Sequence, residues 1–253
     1  VDPNDPSHGY MVLGDGDLIR FDLQTGERKG IRPWAPAFTG LRLNRDVPIS
    51  LDPHDASAIY YGSQFVHKST NRGETWQIIS GDLTVNDPAE RREAPGNGAD
   101  TDDLTIDAGN VDGPEAEGGA TITSIAPSSL DRDVIWVGTD EGDVLVTRSA
   151  GGEWQSVRNR IDRVPDSSWV AHIEPSAVRP GSALVVFDAH RTGSRESLIF
   201  STDDYGDDWE RVGRESNLEG IVHTVVQDVI VEELLFAGTD QGLYVSLNRG
   251  EDW

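Results

Sequence analysis

The chain has no cysteine, one methionine, only two lysines, and no apolar run long enough to cross a bilayer. Without cysteine there is no disulfide framework and no thiolate chemistry. The longest apolar stretches, such as Ala183–Phe187, fall far short of the roughly 20 residues that a spanning helix needs. No secretory leader is legible, and the start at Val1 rather than Met is read as a sign that one was removed.

Lysine is the most informative shortage. The 45 acids face 21 basic residues, of which only Lys29 and Lys68 are lysine, and the formal net charge is −24. Lysine joins a long apolar stem to a strongly hydrated head. In molar salt exposed stems cost solubility, whereas repulsion between carboxylates is screened over short distances. This balance points to a salt-adapted surface. An acidic face that held Ca²⁺ or a basic partner would cluster its acids, but these run from Asp2 to Asp252. Such a field repels phosphate backbones and argues against nucleic-acid binding. It fits either side of a cell envelope, so no compartment follows from it. Apolar residues make up 36%, yet they recur in short, evenly placed clusters that can build a core.

Those clusters belong to repeats. Four segments share the order hydroxyl, any, acid or amide, any, Gly, any, any, Trp. They carry Ser69, Asn71, Gly73 and Trp76; Thr147, Gly151 and Trp154, with Ser149 at the acid position; Thr202, Asp204, Gly206 and Trp209; and Ser246, Asn248, Gly250 and Trp253. The hydroxyl and the acid or amide can accept turn N–H groups, and Gly can supply a positive φ. The hairpin is therefore a structural staple, and its Trp is expected between neighbouring sheets. An apolar strand ending near a Gly turn precedes each box, and an Asp/Pro turn lies further upstream. The box-like stretch Leu18–Gly26 lacks its Trp. One unit thus reads as four short antiparallel strands, the size of a β-propeller blade. The repeats fall near 1–34, 46–83, 120–158, 168–213 and 221–253, with an acidic insertion over 87–119. The expected fold is an all-β propeller made of such blades. Five repeats rarely close a ring, so further blades or subunits are expected to complete it.

The ordered phrases Arg20-Phe-Asp22, Ile31-Arg-Pro-Trp34, Ile78-Ile-Ser-Gly-Asp82, Ile135-Trp-Val-Gly-Thr-Asp140, Phe187-Asp-Ala-His190-Arg191, Thr202-Asp-Asp204-Tyr-Gly206 and Gly238-Thr-Asp240 carry a resemblance. The chain resembles the BNR/Asp-box propellers of the sortilin-like (Vps10-like) "glycosyl hydrolase" group. The resemblance implies a propeller of seven or more blades. It leaves open both a glycosidase and a peptide-binding receptor, because fold does not choose between them.

Glycoside hydrolysis needs two carboxylates flanking one bond, roughly 5–10 Å apart. With 45 acids, proximity of some pair carries little weight. A sialidase would need an arginine triad, a Tyr nucleophile and a Phe/Tyr-Arg-Ile-Pro phrase. The nearest stretch, Arg45-Asp-Val-Pro48, does not match. The most chemical cluster is Asp188, His190 and Arg191, on a loop longer than a blade hairpin. It can bind a sugar or an anion or serve acid–base work; its structural alternative is a loop held by an Asp188–Arg191 contact. Glu174 is expected on an inner strand facing the channel, with His223 at the matching place in the next repeat. Asp188, Glu174 and His190 are thus the catalytic candidates, and Asp188, His190, Arg191, Glu174 and His223 the ligand-binding ones. Asp100, Asp102, Asp103 and Asp107 are candidate Ca²⁺ ligands, although their spacing is not that of an EF-hand; no cofactor is otherwise required. His8, His54 and His67 read as turn or surface residues. Trp34, Trp136 and Trp169 lie outside the boxes, and alternation places Trp136 in the core. Two functions follow: a binding propeller presenting a glycan or peptide site, or a carbohydrate-active enzyme using paired carboxylates.

Overall fold

The computed structural model describes residue 2 and residues 5–14, 16–36, 40–84, 106–107, 120–214 and 216–253, the pair 106–107 by backbone alone. Two compact units divide it, Val1–Ile125 and Ala126–Trp253. Among the described residues, helical structure is limited to short 3-10 turns.

In the first unit, β1 (His8–Val12), β2 (Leu18–Asp22) and β3 (Arg28–Gly30) form an antiparallel sheet in chain order. The strands β4 (Ile49–Leu51), β5 (Ile59–Gly62), β6 (Val66–Ser69) and β7 (Thr75–Ile78) form a second sheet, extended by the two-residue β8 (Ile106–Asp107). A third sheet consists of β9 (Ile122–Pro127), which runs across the division, β10 (Ile135–Thr139), β11 (Val144–Thr147) and β12 (Gln155–Ser156). The second unit continues with β13 (Trp169–Pro175), β14 (Ala183–Asp188), β15 (Leu198–Thr202) and β16 (Glu210–Val212), then β17 (Val222–Gln227), β18 (Leu235–Thr239) and β19 (Gly242–Ser246).

Each sheet follows chain order. The strand β14 shows why its sequence is apolar throughout. Alternate residues of a strand point to opposite faces. Here Ala183, Val185 and Phe187 join a core with Trp136, Val144, Val146 and Val157 of the preceding sheet. On the other face Leu184 and Val186 pack with Val222, Val225, Leu235 and Ala237 of the following one. Both faces are dry, and each fully buried aliphatic side chain contributes about 1.5–3 kcal/mol.

The four Trp-ending hairpins are built alike. Ser69 Oγ accepts the Gly73 N–H at 2.8 Å, and Asn71 Oδ1 accepts the Thr75 N–H at 2.9 Å. Thr202 Oγ1 and Asp204 Oδ1 do the same for Gly206 and Asp208, both at 3.0 Å. Ser246 and Asn248 serve Gly250 and Asp252 at 2.8 and 3.0 Å. In the third sheet Ser149 replaces the acid, and its Oγ still accepts the Glu153 N–H at 2.9 Å, while Thr147 accepts from Gly151. The positive φ expected of the glycines is present, and the residue before each of them shares it: Arg72, Ala150, Tyr205 and Arg249 have φ between 53° and 64°. Gly73, Gly206 and Gly250 also abut the last strand of the preceding sheet or the residue after it. A Cβ on Gly73 would lie 2.4 Å from Ile31, and one on Gly250 would lie 2.2 Å from Val212. Trp76 closes the same junction by donating its indole N–H to Ile31 O at 2.7 Å.

Two buried polar groups of the first unit stand out. Asp52 accepts the Tyr60 hydroxyl at 2.8 Å and Lys68 Nζ at 3.1 Å, so one of the two lysines is committed to a nearly buried carboxylate. Burial would raise the Asp52 pKa, but the bonds from the His54 N–H, Tyr60 and Lys68 outweigh it and hold it below the ordinary value. His67, expected at the surface, is 1% exposed on β6, where it contacts Ser63 Oγ at 2.9 Å and the edges of Tyr61 and Phe65. Sequence spacing missed this because every other residue of the strand also faces inward or toward Asp52. Burial pushes the His67 pKa down to about 3.

Candidate functional site

The loop after β14 departs from the repeat. In the sheets of β5, β10 and β18 the second strand turns straight into the third, whereas β14 and β15 are separated by residues 189–197. Asp188 closes β14 opposite Trp169, the first residue of β13. Its carboxylate is 4% exposed, and Oδ1 accepts the backbone N–H of His190 at 2.8 Å and meets His190 Nδ1 at 2.8 Å. A 3-10 turn over His190–Thr192 follows and ends at Gly193, whose φ of 81° reverses the chain.

The expected Asp188–Arg191 contact does not form. The turn at Ala189 brings residue 190, not 191, back onto the carboxylate. Arg191 lies instead over the Trp169 ring, with its guanidinium carbon 4.2 Å from the centroid. The His190 ring meets the same indole edge-on, with centroids 5.5 Å apart. With Nδ1 tied to Asp188, the opposite ring nitrogen of His190 is the one turned away from the carboxylate.

A second wall comes from the next sheet. Ser197 Oγ donates to Gly220 O at 2.7 Å, and Arg195 pairs with Asp240. Asp240 also accepts the Ile221 N–H at 2.9 Å. Desolvation opposes ionisation of Asp240, but the Ile221 N–H and the Arg195 guanidinium prevail and keep its pKa below the ordinary carboxylate value. Between the walls lies an open hollow of about 590 Å³, faced by Trp169, Asp188, His190, Arg195, Ile221 and His223.

Four of the five candidate ligand residues, Asp188, His190, Arg191 and His223, therefore gather at this end of the second unit. Glu174 does not join them. It pairs with Leu184 at the other end of β13, on the order of 15 Å of strand from Trp169. There it contacts His172 at 3.7 Å and borders a separate hollow of about 430 Å³ with Gln227, Arg211 and Arg249. His223 also lacks the expected match to Glu174. The register shifts at residue 171 in β13 and at residue 223 in β17, so His223 corresponds to Ala171, and the extra residue turns its side chain out to solvent. Sequence reading missed Arg195 and Asp240. Strand pairing shows the place of Asp240 in the repeat: each box hydroxyl pairs with the first residue of its second strand, and five positions on stand Gln64, Asp140, Asp188 and Asp240, whereas no spacing marks Arg195. The side chains of Asp100, Asp102, Asp103 and Asp107 lie outside the described residues. Among the described residues no group of three or more His, Asp or Glu is arranged to hold a metal.

No protein-family model matches the chain, and no curated protein matches it in sequence. Solved structures match its fold. An ancestral GH74 enzyme superposes on 87% of this chain with a TM-score of 0.58 at 20% identity. The GH74 xyloglucanase from Xanthomonas campestris covers 100% of it with a TM-score of 0.59 at 17% identity. YCF48 bound to D1 peptide covers 96% with a TM-score of 0.53 at 14% identity. The chain has the β-propeller fold. It spans 25%, 37% and 64% of those three chains. At such identities the likeness establishes the fold and no ligand or reaction.

Within that fold the sheets are blades, and the hollow sits where the blade of β13–β16 meets that of β17–β19. No helix among the described residues is long and apolar enough to cross a membrane.

Proposed function

We propose that this chain is a binding propeller of Asp-box repeats, adapted to high salt, whose ligand site is the hollow around Trp169, Asp188, His190, Arg191, Arg195 and His223. Its ligand is a glycan or a peptide, and further blades or subunits complete the ring. The observation that carries this reading is the commitment of Asp188. Its carboxylate is bound to His190, Asp240 on the second wall is held by Arg195 and the Ile221 N–H, and the other acid candidate, Glu174, faces a different hollow from Asp188. A glycosidase needs two carboxylates facing across one bond, and these two do not. The blade-to-blade setting and the preformed polar walls suit recognition. A propeller of the same fold, YCF48, is described with a bound peptide.

The enzymatic reading rests on the two GH74 structures of the same fold. Reducing-end release from a polysaccharide panel decides between them, using the folded chain in about 3 M KCl, where screening lengths are shortest. Binding without turnover is the expected outcome, and Asp188→Asn should weaken binding while Glu174→Gln leaves it unchanged. Turnover abolished by Asp188→Asn would replace the binding reading with the enzymatic one. We further propose that Ca²⁺, if it binds, uses Asp100, Asp102, Asp103 and Asp107. Calorimetric Ca²⁺ titration of the chain and of the Asp102→Asn/Asp103→Asn variant tests this, and equal heats from both would refute it.

A further inference from the structure

The open face of the last sheet is more apolar than its place in the repeat requires. In β18 and β19, Leu235, Ala237 and Tyr244 pack on the sheet of β13–β16. By alternation Phe236, Leu243 and Val245 point the other way, and Val226 joins them through the paired row Val226, Phe236 and Val245. One sheet earlier the rim of the same face is polar. The positions of Val226, Val231, Val245 and Leu247 are held there by Glu174, Arg179, Ser201 and Asp203, as strand pairing and the matching turns at Ser176 and Asp228 establish. That polar rim meets charged groups of the following sheet. Arg179 pairs with Glu232 at 2.8 Å, and Arg249 and Glu251 line the hollow beside Glu174 and Asp203. The aliphatic replacements offer such groups no partner.

The first sheet carries a matching face. Tyr10, Val12 and Leu18 pack with Ile59 and Tyr61 of the second sheet, so Met11, Ile19 and Phe21 face away from it. Met11 pairs with Ile19, and the Phe21 ring lies over Gly9. The tip of its hairpin, residues 23–26, has no charged side chain and exposes Leu23. Among the described residues, ten of the twelve exposed large apolar side chains belong to these two sheets and their turns. Scattered exposure needs no explanation, but such concentration on an acidic chain marks a contact surface.

We infer that the open face of the last sheet docks on the first sheet of a second copy of this chain, head to tail. The two faces are opposite sides of a sheet, so the contact repeats the sheet-to-sheet order found within the chain. Leu23 then meets the aliphatic rim where Arg249 and Glu251 meet the polar one. This rests on the reading above that further subunits complete the ring, and it does not depend on the ligand hollow. Unlike patches meet, so copies close into a ring where the rotation allows.

The test is sedimentation of the full chain in about 1 M KCl, where repulsion between copies of net charge −24 is screened within about 3 Å. The expected result is an assembly of two or more copies that loosens as KCl is lowered. Leu243→Gln/Leu247→Gln and Met11→Gln/Leu23→Gln should each weaken it by at least about tenfold. Leu130→Gln, exposed on a turn of the third sheet, should not. The absence of cysteine allows the partners to be read directly. Leu243→Cys mixed with Met11→Cys should give a pair cross-linked by a bismaleimide, and neither variant alone should exceed Leu130→Cys. Circular dichroism establishes that each variant is folded. Cross-linking of Leu243→Cys with itself would overturn the first sheet as the occupant in favour of like meeting like. A monomer at every KCl concentration would overturn the contact between copies, while the ligand reading stands or falls separately on the polysaccharide panel.

Discussion

At the scale of single residues, His67 couples the fold to pH. Its pKa is about 3 in the folded chain against 6.5 when exposed. Below pH 6.5 the unfolded chain gains a proton that the native chain refuses, so stability is complete above that value and declines as pH falls toward 3. The loss is about 1.4 kcal/mol per pH unit, or about 2 kcal/mol between pH 6.5 and 5. His67→Gln, which stays neutral, should remove this slope in urea melts at the two pH values; parallel slopes would show that another group governs it. Asp52 is the complementary case. Its depressed pKa stabilises the chain above the unfolded value, and that share is lost as pH falls through the folded one. Lys68→Met leaves a 7% exposed carboxylate with one partner fewer. The expected cost is about 1–3 kcal/mol, readable as a lower urea midpoint. In the hollow, the cluster of Asp188, His190 and Arg191 was legible because three chemical side chains share one long loop. Their pairing was not, because it depends on the backbone turning at Ala189, which identity alone does not encode.

At the scale of elements, the hairpin and the alternating strands carry nearly all that sequence can reveal. The box signature is local: a hydroxyl and an acid or amide accept N–H groups four residues on, so spacing alone predicts the bonds found at Ser69, Thr202 and Ser246. Ser149 shows why a degenerate box still folds, since a hydroxyl can accept the same N–H. What spacing does not carry is register between strands. The shifts at Ala171 and His223, and the wall built from Arg195 and Asp240, appear only once β13 and β17 are paired with their neighbours. The sharpest element-level prediction falls on Gly73. Its φ of 83° and a Cβ position 2.4 Å from Ile31 Cδ1 combine backbone strain with overpacking. Gly73→Ala should cost about 2–4 kcal/mol. Gly26→Ala, with a similar φ of 75° but open space around it, should cost about 1 kcal/mol. Thermal melts of the pair separate the two contributions, and equal losses would show that the contact with Ile31 is soft.

At the scale of the whole molecule, charge and salt decide stability together. Forty-five acids against 21 basic residues leave most carboxylates without a cationic partner, so the native chain repels itself at low ionic strength. Two effects of salt can then be told apart. Screening lengths shrink from about 10 Å at 0.1 M to about 3 Å at 1 M, so relief of repulsion is nearly complete by 1 M, whichever salt supplies it. Any stabilisation beyond 1 M must come from strengthened apolar burial, which depends on the anion and is larger for sulfate than for chloride. The chain should therefore show a melting temperature that rises steeply to about 1 M in both KCl and K₂SO₄ at matched ionic strength, then diverges in favour of sulfate. A surface that owed its acidity to Ca²⁺ sites would behave differently. Micromolar Ca²⁺ would replace most of the first rise, and EDTA would restore it. A melting temperature indifferent to KCl would remove salt adaptation as the reason that 19 of the 21 basic residues are arginine.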